Sequence, residues 1–513
     1  MVSPFNKRNK FDLTNEHKLT CDMGKLVPIY CQDVLPGDTF RVNTDMIIRL
    51  QALIAPIYHR VNVFTHFFFI PNRIVFDQWE DFITGGVEGN STVVRPTITV
   101  TPTVGSLADY FGLPVGKPCT VSALPFRAYA KVYNDWYRNE TLQAEVPLSV
   151  AAGPDTTTNT TLLNRNWQRD YFTSALPWTQ RGEAVRVPLG TSAQVAISGN
   201  GNPIKMTVAN PETGTSGNLI QITDSGLQTQ HRLMTVGSNL TNTGDVYFNT
   251  GWGNAGLRGL ADLSQASSAT INDWRVAFQI QRLLEKNARG GARYVEWLLS
   301  HFGVRSSDAR LQRPEYLGGG RAGLNINEIV QTSATDETSP QGNMAGHSYT
   351  GYRSHSFTKS FEEHGYIIGI LSILPRSNYQ QGIERHWLYE SRYDYPLPVL
   401  SHLGEQGIYN KELFFNGDSD DDKIFGYAPR YEECRHKYSQ VHGDFRNSLN
   451  FWHMGRVFAN RPKLNAQFVA ADPTKRIFAT EELGQHVLID LVNNVKAIRA
   501  LPKHGIPGFI DHD

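Results

Sequence analysis

Phe40-Arg41-Val42-Asn43-Thr44-Asp45-Met46-Ile47-Ile48-Arg49-Leu50-Gln51 decides the fold class. Phe40, Val42, Met46, Ile48 and Leu50 stand at even positions, and Arg41, Asn43, Asp45, Arg49 and Gln51 between them. That period-two pattern, broken mainly at Thr44 and Ile47, is a half-buried β-strand. Pro36-Gly37-Asp38 before it is turn chemistry. A second strand follows Pro56, with Val61, Val63, Thr65, Phe67 and Phe69 on one face and Arg60, Asn62 and His66 on the other, ended by Pro71. Two long strands across a short break predict an antiparallel sheet with one wet face.

Outward from this pair, helices are short and well punctuated. Asp77 to Ile83 stops at Gly85-Gly86, and Ser106 is placed to cap Leu107–Phe111 before Gly112. Residues 123–139 put Tyr129, Val132, Tyr133, Trp136 and Tyr137 on one stripe; residues 273–288 do so with Val276, Ile280, Leu283 and Leu284. A third helix carries Val295, Leu298, Leu299 and Phe302 up to Gly303. Such stripes are core or interface rather than cofactor boxes. Strand character returns at Ile367–Ile373, Leu413–Phe415 and Val487–Leu491, and the tail from Leu501 to Gly508 is extended. Strands thus open and close the chain, which predicts an all-β core closed by its two ends, with a few short amphipathic helices in large insertions.

Residues 190–262 stand apart. They hold seven charged side chains, half the density of the whole chain, among many Ser, Thr, Asn and Gly. Val195–Ile197 and Ile204–Val208 flank Gly199-Asn200-Gly201-Asn202, which predicts a hairpin between them. The expected organisation is an N-terminal arm (1–20), a first part of the core with inserted loops and helices (21–189), a polar β-rich insertion (190–262), and a helical insertion with the rest of the core and an extended tail (263–513).

The whole composition agrees. Among 513 residues, 19% are charged, below the usual ~25%, and 11% are aromatic. Disorder and coiled coil are excluded. Lys and Arg together equal Asp and Glu at 49 each, so the chain has no global excess with which to neutralise a nucleic acid unaided. The local excess is Lys7, Arg8 and Lys10, either a solvated terminus or a nucleic-acid contact. Four cysteines make no disulfide framework, and no basic-apolar leader opens the sequence, so a reducing compartment is expected. Tyr366–Leu374, the longest nearly apolar run, is far short of the ~20 residues of a membrane span and reads as a strand buried on both faces.

The search for chemistry is brief. Of sixteen histidines the nearest pair, His436 and His442, lies six apart, which removes helical two-His metal sites. Asp418, Asp420 and Asp422 open like an EF-hand, but Lys423 occupies the position that needs Gly and Pro429 the one that needs Glu. This predicts a solvated acidic loop, with an interface Ca²⁺ site as the alternative. Gly112–Lys117 is one residue short of a phosphate loop. No catalytic, cofactor-binding or metal-binding residue is expected.

Longer strings carry a resemblance. They include Ala55-Pro56-Ile57-Tyr58-His59-Arg60, Thr65-His66-Phe67-Phe68-Phe69-Ile70-Pro71, Trp79-Glu80-Asp81-Phe82-Ile83-Thr84-Gly85-Gly86 and Asp170-Tyr171-Phe172-Thr173-Ser174-Ala175-Leu176-Pro177-Trp178. Ala309-Arg310-Leu311-Gln312-Arg313-Pro314, Phe361-Glu362-Glu363-His364-Gly365-Tyr366 and Gly505-Ile506-Pro507-Gly508 continue them in order. The chain resembles the major capsid protein of gokushoviruses, single-stranded DNA bacteriophages of the Microviridae. The resemblance implies an eight-stranded antiparallel viral jelly roll with large loop insertions. It implies self-assembly, through pentamers and three-fold contacts, into a T=1 icosahedral shell around a circular single-stranded DNA genome. It implies a small basic internal DNA-binding protein, a host cell-surface receptor, and assembly in the bacterial cytoplasm without membrane insertion. Residues 190–262 match no family string and would form the three-fold protrusion; their uncharged skin suits a glycan receptor. The rival readings are a β-sandwich carbohydrate-binding protein or glycosidase, and a single-strand nucleic-acid binder using aromatics and Arg.

Overall fold

The computed structural model describes residues 8–185, 271–291, 293–330, 344–480, 484–501 and 503, with strand segments at 195–198, 204–209, 216–222, 246–248 and 258–261. Two compact units divide the chain: Glu183–Leu283, and everything before and after it.

The larger unit is built on two antiparallel sheets. Its strands in chain order are β1 (Asn9–Asp12), β2 (Asn15–Cys21), β3 (Val27–Val34), β4 (Thr39–Leu50), β5 (Val61–Pro71), β6 (Glu315–Gly323), β7 (Thr350–Arg353), β8 (Phe357–Ser360), β9 (Gly365–Pro375) and β10 (Val487–Arg499). In the first sheet β10 lies between β4 and the β1–β2 pair, and β4 is flanked on its other side by β7 and β8. In the second the order is β6-β5-β9-β3. The chain's first and last core strands therefore pair, as their sequence suggested.

The sheets face each other across one apolar core. Phe67 of β5 meets Phe357 of β8 at 5.5 Å between ring centres, and Phe69 meets Phe361 at 4.6 Å. Phe40, Val42, Met46, Ile48 and Leu50 of β4 enter this core together with Val487, Ile489, Leu491 and Val495 of β10. Thr44, the apparent break in the alternation, is buried too. Its hydroxyl donates to Asn493 Oδ1 at 2.7 Å and its N–H to Ser354 Oγ at 2.8 Å, so the pattern continues through a satisfied polar residue.

Two expectations are corrected here. β4 and β5 do not pair; the stretch around Pro56 carries the chain from one sheet to the other. Nor has β5 a wet face. Phe68 and Ile70, on the side assigned to Arg60, Asn62 and His66, enter a second core with Ile368 and Ile370 of β9. Helix α1 (Leu124–Val132) covers it, burying Leu124, Phe126, Ala128, Tyr129 and Val132. The first sheet is thus buried on one face and the second on both. β9 is near-continuously buried, as its apolar run predicted.

The helices fall where their punctuation put them. Ser106 Oγ accepts the Asp109 N–H at 3.3 Å. The aromatic stripe of 123–139 is core, with α1 running on into a wider turn over Tyr133–Tyr137. Helix α2 (Ile271–Gly290) spans the predicted 273–288, and α3 (Tyr294–Phe302) stops at left-handed Gly303. Leu413–Phe415 is not a strand. Asn410–Leu413 is a helical turn, because Glu412 reaches back to the Tyr409 N–H at 2.8 Å.

In the smaller unit Ile204–Ala209 pairs with Ser216–Ile222 and with Val246–Phe248, while Val195–Ser198 pairs with Arg258–Ala261. The hairpin expected across 199–202 is therefore corrected. Residues 258–261 offer Val195–Ser198 a full ladder, whereas Pro203, lacking an N–H, follows the Gly-Asn stretch directly.

Candidate functional site

Of the three residues singled out at the N-terminus, Lys7 lies outside the described residues. Arg8 is exposed, its guanidinium folded over left-handed Gly37. Lys10 is exposed on β1, opposite Ile498 at the edge of the first sheet. Around them the acids of the exposed sheet face are engaged: Asp12 with Lys496, Asp45 with Arg353, and Glu16 and Asp490 with Lys18. Arg41 and Arg49 of β4 have no carboxylate partner among the described residues.

In the acidic loop Asp418 and Asp422 are exposed and Asp420 partly so, and the loop is organised around a fourth acid, Asp421. Asp421 is buried and accepts the N–H groups of Asn416, Gly417 and Asp418. Arg461 donates to both Asp418 and Asp421 at 2.6 Å. Hydrogen bonds from Asn416 and Arg461 hold Asp418 down at about 2. Arg461 stands 43 residues from Asp418, so no local spacing could have announced it.

Two histidines are held neutral. His59 Nε2–H donates to the Arg376 carbonyl (2.7 Å), and His66 Nδ1 shares a hydrogen bond with the Tyr137 hydroxyl (2.7 Å). Burial pushes both down to about 4, and Arg165 adds to the effect at His66. Between pH 6.5 and 4 the unfolded chain therefore binds protons that the folded chain refuses. Stability is full above 6.5 and falls as pH drops through that window, by about 3 kcal/mol per histidine at its lower end. Denaturation midpoints measured from pH 7 to pH 4 should fall, and H66F should flatten the decline; a parallel decline in H66F contradicts the assignment.

Several large apolar side chains are left exposed in each unit. Between Arg385 and Leu403 the side chains of Trp387, Tyr393, Tyr395, Val399 and Leu403 are exposed, Trp387 by 74% and Val399 by 85%. On α2, Trp274 and Phe278 are exposed as well, and Ala288 is its buried residue. Exposed apolar side chains in such number are a feature of surfaces that meet a partner.

The profile of the family described as "Capsid protein (F protein)" matches residues 2–509. The chain belongs to that capsid protein family. It is 39% identical to capsid protein VP1 of Bdellovibrio phage phiMH2K, over 98% of this chain and 95% of the relative. It is 36% identical to capsid protein VP1 of Chlamydia phage 1, over 98% and 96%, and 32% identical to that of Spiroplasma virus 4, over 98% and 95%. The resemblance to Microviridae capsid proteins drawn from the residues is borne out along the whole chain. This capsid protein has a structural rather than an enzymatic role, and its place is the virion capsid. The glycosidase reading falls with that assignment. Among the described residues no helix is long and apolar enough to cross a membrane.

Proposed function

We propose that this capsid protein is an eight-stranded viral jelly roll that closes by self-association into a T=1 shell around a circular single-stranded DNA genome. The exposed apolar surface from Trp387 to Leu403 carries the self-association reading. The strand order supports the jelly roll. Taking β1–β2 as one position and β7–β8 as another, the eight positions in chain order fill the sheets as 1-8-3-6 and 2-7-4-5, so the chain changes sheet at every step except from 4 to 5, as in a jelly roll. The balanced charge of the chain supports a separate small basic protein that neutralises the genome inside. Residues 190–262 form the three-fold protrusion and the host-receptor surface, their unpaired strand edges covered by copies of themselves. Lys7, Arg8 and Lys10 face the genome. Assembly takes place in the host bacterial cytoplasm.

Electron microscopy of material sedimented from infected cells tests this. Icosahedral particles containing single-stranded DNA are expected. With 190–262 replaced by a Gly-Ser linker, shells should form without three-fold density and adsorb poorly to host cells. Only small oligomers from the full chain would sink the proposal; unimpaired adsorption of the shortened chain would sink its protrusion.

A further inference from the structure

Four guanidinium groups of the larger unit converge without a carboxylate partner among the described residues. Arg165 is half-buried. Its Cζ lies 4.0 Å over the Phe64 ring and its Nη1 donates to Ser372 Oγ at 2.8 Å. Arg321 lies over the same ring at 5.6 Å and donates to Asn62 Oδ1 at 3.0 Å. Exposed Arg169 and Arg376 join Arg321 in lining a cavity of about 320 Å³. Ser377, also in that lining, is buried and its Oγ has no hydrogen-bond partner. The carboxylates nearby are committed elsewhere. Asp170 takes the Thr173 and Phe172 N–H groups and the Tyr379 hydroxyl, and Glu296 pairs with Arg293.

In a chain with as many acids as bases, four neighbouring unpaired cations are a local positive field that an anion would relieve. A second cavity, of about 530 Å³, adjoins the first, sharing Gln168 and Arg169. Arg165 lines it together with Trp136, Tyr137 and Tyr316, and Tyr316 is 41% exposed. Guanidiniums beside a partly exposed tyrosine match a phosphate followed by a base, the chemistry of single-stranded nucleic acid.

We infer that this double cavity is a binding site for a single-stranded phosphodiester segment, with Arg169, Arg321, Arg376 and the Ser377 hydroxyl on phosphate, Arg165 behind them, and Tyr316 under a base. The inference rests on the reading that the chain encloses a single-stranded DNA genome.

The test is fluorescence anisotropy of a labelled oligothymidylate with the full-length soluble chain and its R169Q/R376Q variant, whose two side chains are exposed and so spare the core. Affinity should fall about ten-fold or more, and the slope of log K against log salt should become shallower by about 1.4, two single-strand phosphate contacts. R169K/R376K should restore the slope while recovering only part of the affinity. Unchanged affinity and slope in R169Q/R376Q would overturn the site. So would equal displacement of the oligonucleotide by inorganic phosphate at matched ionic strength, which marks a small-anion pocket. Loss of assembly with oligonucleotide binding intact would also overturn it, since the cations would then be meeting carboxylates of a second copy. Nucleic acid extracted from particles separates the two readings. DNA-filled particles with unaffected variants sink this site alone, and DNA-free particles sink the genome reading whatever the oligonucleotide does.

Discussion

Replacing Arg127 by Met should cost the fold about 3–5 kcal/mol, the penalty for stranding a buried charge. Arg127 sits on α1 with its side chain 1% exposed, and its Nε donates to Asp155 Oδ2 at 2.7 Å. Its two terminal nitrogens hold the carbonyls of Val75 (3.0 Å) and Ala151 (2.8 Å), tying two loops to the helix. Methionine fills much of the volume but leaves both carbonyls and the carboxylate without their donor. Burial raises the Asp155 pKa, yet hydrogen bonds from Thr158 and Arg127 outweigh it and hold the carboxyl below its ordinary range. Removing Arg127 takes away one of the hydrogen bonds that oppose burial at this carboxyl, while those from Thr157 and Thr158 stay. R127M/D155N should recover part of the loss, because the amide oxygen still accepts from Thr157 and Thr158. The urea midpoint of the soluble chain is the measurement; a cost below about 1 kcal/mol in R127M would mean the layer re-forms its hydrogen bonds without the guanidinium.

Shell formation should fail in W387D/V399D. Both side chains are exposed in the single chain, so the fold loses nothing when they change. In an assembly each copy would bury two carboxylates against apolar surface. A cost of ~3 kcal/mol per contact already lowers association about a hundred-fold, and symmetry repeats it at every copy. Sucrose-gradient sedimentation should show the chain remaining at the top with an unaltered circular dichroism spectrum. Particles at the parent's yield would show that Trp387 and Val399 face solvent in the shell.

What the sequence disclosed followed periodicity. β4 announced its buried face by alternation and β9 its two buried faces by an unbroken apolar run, because both signals are written in adjacent residues. The covered second face of β5 carries a mixed signal, because polar Asn62 and His66 share it with Phe68 and Ile70. Partnership between strands carries no local mark. Val195–Ser198 finds its mate at 258–261, and β4 pairs with β10 rather than with its neighbour in the chain. The same holds for side chains that meet from afar. Nothing around Asp421 points to Arg461, and Arg165, Arg169, Arg321 and Arg376 share no spacing that a motif could hold. The resemblance reached the family because long strings were preserved in order, but it could not say which cations stand unpaired.

The position of β10 has a consequence for how the chain is made. It is the last of these ten strands to leave the ribosome, yet it lies between β2 and β4, and Asn493 donates to Asn15 across 478 residues. At ~5–20 residues per second, β2 waits about 25–100 s for its partner. During that interval β4 presents a free edge on the side β10 will occupy, and an incomplete chain keeps that edge for good. Any product broken off before residue 487 lacks the strand that joins the two flanks of its first sheet, and so carries an open β4 edge where the longer chain is paired.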